Sequence, residues 1–258
     1  MLNRAIKIYR NINQLQARMG WLDTWLVILN RLLVKGSRGT INIYKYQLVA
    51  QPVSNKPFLT PTRGRKIVIR QIDRYDPVIQ FFPRPISTIH ERFKNGAICL
   101  VAFKGEKFVG FIWLMFGAYE EDEVRARYIP LPAKRAAWDF DVYVDSDHRL
   151  GFTFLRLWDE ANQLLSENGF EWSCSRISSF NPDSLRSHTG LGAVVLGKAA
   201  FIRLAGWQIT LASIRPYINI SFNSNYFPQF FLDTSQLKNP FLIKDNKTAL
   251  DSTQATRS

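Results

Sequence analysis

The stretch "AAWDFDVYVDSDHRLGFTFLRLWDEANQLLSENGFEWSCSRISSF", residues 136–180, narrows the choice of fold more than any other part of the chain. A strand comes first, and its alternation sets Trp138, Phe140, Val142 and Val144 on one face and Asp139, Asp141 and Tyr143 on the other. A polar loop, "DSDHRLG", follows. Phe154, Leu157, Trp158, Ala161, Leu164 and Leu165 then recur at helical spacing, and Gly169 ends that helix. "FEWSCSRISSF" is a second strand. Strand, loop, helix and strand in succession belong to the α/β class.

The flanks extend the pattern. "KIVIRQI" (66–72) reads as a strand, and "PISTIHERFKNG" (85–96) as a short helix with Ser87 as its N-cap and Gly96 as its stop. "AICLVAF" and "KFVGFIWLMF" flank "KGEK" as a hairpin; its second strand is apolar on both faces and belongs at the centre of a sheet. "YEEDEVRARY" is a charged excursion between strands. "NPDSLRSHTGLG" reads as a short helix, and "AVVLGKAAFIRLAGWQITLAS" as one or two final strands. The expected core is a mixed central sheet flanked by helices.

The first forty residues form a separate arm. Ile8, Ile12, Leu15, Met19, Leu22, Leu26, Leu29 and Leu33 trace an amphipathic helix, widened by Trp21, Trp25, Ile28 and Leu32, with Gly36 as its C-terminal cap. Residues 1–70 hold thirteen Lys or Arg against one acid, Asp23, so nearly all of the net charge of +13 sits there. Through residues 8–35 such a helix can dock on its own domain, associate with a second copy, or lie on an anionic membrane surface. No helix-turn-helix, finger or RNA-binding signature accompanies the charge, which disfavours nucleic acid.

The domain organisation expected is a basic helical arm over 1–40, a strand and connector over 41–66, the α/β domain over 67–213, and an aromatic extension with a loose tail over 214–258. With 258 residues, 46% of them hydrophobic, the chain can bury a sizeable core. Cys99 and Cys174 lie in apolar runs, which predicts reduced, buried thiols, and no spacing suggests a metal site. The longest apolar run, "WLVILN", is too short to span a bilayer, and no cleavable leader is evident. A cytoplasmic location, with peripheral membrane contact as the alternative, is expected.

Three segments in order, over roughly residues 67–210, resemble the GNAT superfamily of N-acetyltransferases, of bacterial type: the hairpin "LVAFKGEKFVGFIWL", the strand–loop–helix "DVYVDSDHRLGFTFLRLWDEANQLLSENGF", and "RISSFNPDSLRSHTGLGA". The resemblance implies acetyl-coenzyme A as the acyl donor, an amine of a small molecule or peptide as acceptor, and no metal. It also implies a pyrophosphate seat on backbone N–H groups at the start of the helix. The family's loop usually reads Arg/Gln-x-x-Gly-x-Gly/Ala. Here Arg149, Leu150, Gly151, Phe152 and Thr153 keep a single glycine, a divergent loop. Phe152 and Phe154 can equally be packing residues of the helix.

By the same resemblance Val142, Tyr143 and Val144 line the pantetheine arm, and Asn181 and Ser184 lie near the cofactor. His188, seven residues after Asn181, falls where the family often has a tyrosine acid. A histidine with an unperturbed pKa of about 6.5 suits that role. Asp139 and Asp141, on one strand face, could raise one another's pKa and supply a base, or pair with Arg125, Arg127 or Arg176; Glu120 is a second candidate base. The eroded loop leaves two alternatives: a catalytically inactive binding module, or an acyltransferase using another donor such as an acyl carrier protein.

Overall fold

The computed structural model describes residues 2–222 and 225–242, with side chains from Ile12 on. The side chains of Ile8 and Arg10 and the tail beyond Leu242 lie outside the described residues. In chain order the elements are α1 (Leu2–Gly36), β1 (Ile41–Pro52), β2 (Ile67–Ile72), α2 (Ile86–Lys94), β3 (Ile98–Lys104), β4 (Lys107–Met115), β5 (Tyr119–Glu120) and β6 (Arg127–Leu131). They continue with β7 (Ala136–Val144), α3 (Thr153–Glu167), β8 (Trp172–Ser178), α4 (Pro182–Gly190), β9 (Val194–Leu204), β10 (Trp207–Ala212), β11 (Ile218–Ser221) and β12 (Gln229–Asp233). The architecture is mixed α/β, sheet flanked by helices, with the helical arm first in the chain.

The chain forms two compact units, each drawn from separated stretches. One comprises the residues up to Gln51, Tyr119–Ile129 and Arg176–Leu232; the other comprises Pro52–Ala118, Pro130–Ser175 and the described residues from Asp233. In the first, β11, β10, β9 and β1 run antiparallel in that order, and β5, β6 and β12 make a small second sheet. α1 breaks at Gly20, whose φ of 80° no ordinary helical residue adopts. The turn after α1 uses Arg38 and Gly39 at positive φ, so the expected cap at Gly36 is displaced by three residues.

In the second unit the order is β8, β7, β4, β3, β2, with β7 and β8 parallel and the other neighbours antiparallel. β4, apolar on both faces, is central as its sequence predicts. α3 packs across β4, β3 and β2 with Leu157, Trp158, Ala161 and Leu165 inward. Trp113, Trp138, Trp158 and Trp172 are fully buried in this core, as are the free thiols Cys99 and Cys174.

The structure corrects four local expectations. "YEEDEVRARY" holds a hairpin, β5 and β6, and the aromatic extension contributes β11 and β12. Ser87 does not cap α2, whose N-cap is Pro85 without a side-chain bond. The alternation of β7 fails at a bulge. Phe111 pairs Tyr143 and Trp113 pairs Phe140, so Asp141 and Val142 together oppose Ile112, and Asp141 takes a φ of 50°. Phe140 and Tyr143 therefore share a face, meeting Trp113 and Phe111 at ring-centroid distances of 6.1 and 5.4 Å.

Gly110 in β4 ties this strand to the helix behind it. A Cβ there would lie 2.6 Å from the Tyr143 carbonyl oxygen and 3.4 Å from Thr153 Cγ2 and Leu157 Cδ1. Backbone cannot yield cheaply to a methyl group at that distance. Gly110→Ala is expected to cost about 1–3 kcal/mol, read as a lowered urea midpoint; an unchanged midpoint would remove the close approach from the account.

Candidate functional site

The second unit carries the strand–loop–helix on which the site is built. β7 ends at Val144, and Asp145 accepts from the Asp147 N–H at 3.0 Å, closing a short turn over Ser146–His148. The chain then passes exposed Leu150 and Gly151 into α3. Phe152 is the N-cap and offers no side-chain acceptor, so the first-turn N–H groups of this fifteen-residue helix keep no intrahelical partner. Thr153, first in the helix, is 1% exposed, and its Oγ1 has no hydrogen-bond partner among the described residues. An orphaned hydroxyl at a positive helix end is where an anionic oxygen gains most.

This end opens on a cavity of about 350 Å³, lined among others by Gly151, Phe152, Thr153, Arg65, Lys66, Lys104, Asp147 and His148. No ion pair engages Arg65, Lys66 or Lys104 among the described residues, so a cationic surplus faces the helix end. A larger cavity in the same unit, about 470 Å³, is walled by Val78, Phe81, Phe103 and Phe108. Its Arg70 is already paired with Asp76, which holds that carboxyl below its usual range. Of these two cavities the smaller is the one at the helix end that keeps unpaired cations among the described residues.

Its cations come from the connector before β2 and, with Lys104, from the end of β3, not from the loop after β7. Gly64, at a φ of 69°, lays the connector against α3; a Cβ there would lie 2.9 Å from Arg156 Cγ and 3.2 Å from Phe152 Cβ. Gly151 has no positive φ, and its Cβ would lie 3.3 Å from the His148 carbonyl oxygen. Arg149 donates from Nε to the Val144 carbonyl at 3.2 Å. Phe152 is 40% exposed, with Arg63 over its ring at 6.0 Å, whereas Phe154 packs edge-on against Trp158. Gly64, Arg65, Lys66 and Lys104 were not among the expected site residues; "TRGRK", a glycine between cations, is the signal that marks the first three, and nothing in the sequence around Lys104 marks the fourth.

The expected carboxylate pair separates. Asp141, at the bulge, is held by Arg84, with Nε at 2.8 Å, and by Arg92, with Nη1 at 2.5 Å. Arg92 lies over the rings of Trp113 and Phe140. Neither Arg125, Arg127 nor Arg176 takes part. Asp139 is buried on the opposite side, where its Oδ1 accepts from Ser173 Oγ at 2.6 Å. Burial pushes its pKa up to about 7, against the lowering effect of the Ser173 and Ser175 hydroxyls; the other aspartate has no part in it. Val142, Tyr143 and Val144 are half-buried beside the loop.

The remaining candidates belong to the first unit. Asn181 caps α4, its Oδ1 accepting from the Ser184 N–H at 3.2 Å. His188 is 3% exposed, with Nδ1 3.0 Å from Gln51 Oε1. Burial lowers its pKa to about 4, which removes the protonated fraction near neutrality on which the acid role was argued. Glu120 is exposed and pairs with Arg127 at 3.5 Å. Among the described residues no His, Cys, Asp and Glu group could hold a metal ion.

No family model matches the chain, and no curated protein does. Among solved structures it is similar to a conserved protein of unknown function from Staphylococcus epidermidis, with 12% identity over 68% of this chain and 67% of that one, at a TM-score of 0.44. It is similar to an aminoglycoside acetyltransferase from an uncultured soil metagenomic sample, with 17% identity over 50% of this chain and 88% of that one, at 0.37. It is also similar to a GCN5-related glucosamine N-acetyltransferase region of a fungal multi-domain β-N-acetylglucosaminidase, with 14% identity over 65% of this chain and 22% of that one, at 0.43.

Proposed function

We propose that this protein is an acyltransferase that takes its acyl group from a coenzyme A thioester, acetyl-coenzyme A in the first instance, and passes it to an amine of a small molecule or peptide. The observation that carries the reading is the start of α3: an uncapped helix end, with a Thr153 hydroxyl and three cations around one cavity that are unpaired among the described residues. That donor set fits a pyrophosphate. Backbone N–H groups of Phe152, Thr153 and Phe154 and the Thr153 Oγ1–H would donate to it, while Arg65, Lys66 and Lys104 would neutralise it. Val142 and Val144, half-buried next to the loop, suit an apolar arm leading away from the phosphates. The donor supplies an acyl group activated as a thioester.

His188 is neutral at pH 7 and is assigned no proton transfer. Asp141, neutralised by two arginines, is assigned the structural task of holding the bulge. The strand, loop and helix supporting the donor seat are one of the three segments on which the resemblance to N-acetyltransferases rests.

The test is calorimetric titration of acetyl-coenzyme A into the full chain. Micromolar binding is expected, weakened about tenfold by Lys66→Glu and again by Lys104→Glu, and competed by inorganic pyrophosphate. Absence of binding at millimolar donor would overturn the reading, as would affinity indifferent to both substitutions.

A further inference from the structure

The first unit presents an apolar face that the acyltransferase reading does not use. α1 docks through one side: Thr24 and Val27 are buried, Asn30 Oδ1 accepts from the Ile43 N–H at 2.7 Å, and Asp23 pairs with Lys45. At 3.6 residues per turn, Trp21, Trp25, Leu29 and Leu32 fall on the opposite side. Trp21 is 65% exposed, Trp25 58% and Leu32 64%. The helix is thus apolar on its outer face as well as its docked one.

The sheet beneath continues this surface. Ile43, Ile202, Ile209 and Ile220 stand in one row across β1, β9, β10 and β11, on the face that carries Lys45 and therefore α1. Away from the helix that face is bare: Trp207, Leu211, Ile218 and Phe222 are exposed, with Trp207 and Phe222 stacked edge-on at 4.5 Å. An apolar surface on this scale, rich in tryptophan, marks an interaction site.

Charge selects the occupant. Arg31 and Lys35 lie along one edge of the outer helical stripe and Arg38 follows in the turn, none of them in an ion pair among the described residues. Asp23, the single acid of residues 1–70, is spent on the docked side. A second copy laid on this face would set cation against cation. An anionic bilayer complements it, with tryptophan rings at headgroup depth and guanidinium and ammonium groups at the phosphates. No described helix is long and apolar enough to cross a membrane, so the contact lies in the surface plane.

We propose that the outer stripe of α1 and the bare rows of β10 and β11 form a docking surface for an anionic lipid bilayer. The test is co-sedimentation of the full chain with vesicles of phosphatidylcholine alone and with about 30% phosphatidylserine. Partitioning onto the anionic vesicles alone is expected, reduced in about 0.5 M salt. Arg31→Glu/Lys35→Glu should weaken it at least about fivefold per cation removed, and Trp21→Ser/Trp25→Ser at least about tenfold. All four side chains are exposed, so both variants should keep the parent's circular dichroism and melting temperature. Equal binding to neutral vesicles, or binding indifferent to the tryptophan variant, would overturn the proposal. So would a dimer in ultracentrifugation that Trp21→Ser/Trp25→Ser dissociates while no vesicle binding is seen, because the occupant would then be a second copy.

Discussion

An Arg176→Met variant is expected to lose about 3–5 kcal/mol of folding stability. Arg176 donates from Nε and Nη2 to the two oxygens of Glu121 at 2.7 and 2.8 Å, reaches Glu123 at 2.8 Å, and lies over the ring of Tyr46. The Glu121 side chain is wholly buried. Burial raises its pKa, and Arg176 opposes that rise. Methionine fills much of the arginine stem's volume but leaves the carboxylate without a cation, so its pKa climbs further. A raised carboxyl pKa costs stability as pH increases and costs none below the unfolded value. The deficit should therefore be larger at about pH 8 than at about pH 5, and Arg176→Met/Glu121→Gln should recover part of it. Guanidinium unfolding of the parent and both variants measures this. A loss below about 1 kcal/mol, or one independent of pH, would show the network to be a surface pair in effect.

Asp139→Asn should do the reverse and stabilise the protein at alkaline pH. Folding lifts this carboxyl from an ordinary value of 3.8 to about 7, so the native state binds a proton that the unfolded chain releases above pH 4. Its contribution is fully present below the unfolded pKa and is lost as pH rises through the folded one. Across that window the loss reaches about 4 kcal/mol. Asparagine keeps an oxygen to accept from Ser173 and never ionises. The gain over the parent should be greatest near pH 8 and vanish near pH 4. His188 tilts the other way, since its lowered pKa gives stability that is complete above about 6.5 and fades as pH falls toward 4. Between those values the two slopes largely cancel, which is why variants rather than the parent reveal either group. A pH-independent effect of Asp139→Asn in urea titrations would mean that the carboxyl ionises freely in the folded protein.

The elements that sequence reasoning found are those whose periodicity is set by one buried face. α3 lies where its 3.6-residue stripe put it, and β3, β4 and β7 lie where their apolar runs put them, although the alternation of β7 holds only as far as Phe140. What it missed depends on partners distant in sequence. β5 and β6 are too short and charged to carry a periodic signal, and β12 shows only Phe230 and Leu232 buried around exposed Phe231. The bulge at Asp141 is paid for by Arg84 and Arg92, and no pattern within β7 announces them. The site behaved likewise. The loop was found from its order among strand and helix, but its cations lie in the connector and at the end of β3. His188 was read with its unperturbed pKa because burial is a property of the fold, not of "SHTG".

The way Gly64 lays Arg65 and Lys66 against the start of α3 has a consequence for how such a site diverges. In the proposed function the grip on a phosphate is divided between segments far apart in the chain, the start of α3 giving the helix end and the connector and the end of β3 giving the charge. Either can drift while the other holds. A loop can shed its glycines and remain a seat so long as a basic strap crosses it, and a search that reads the loop's spelling alone passes such a protein by.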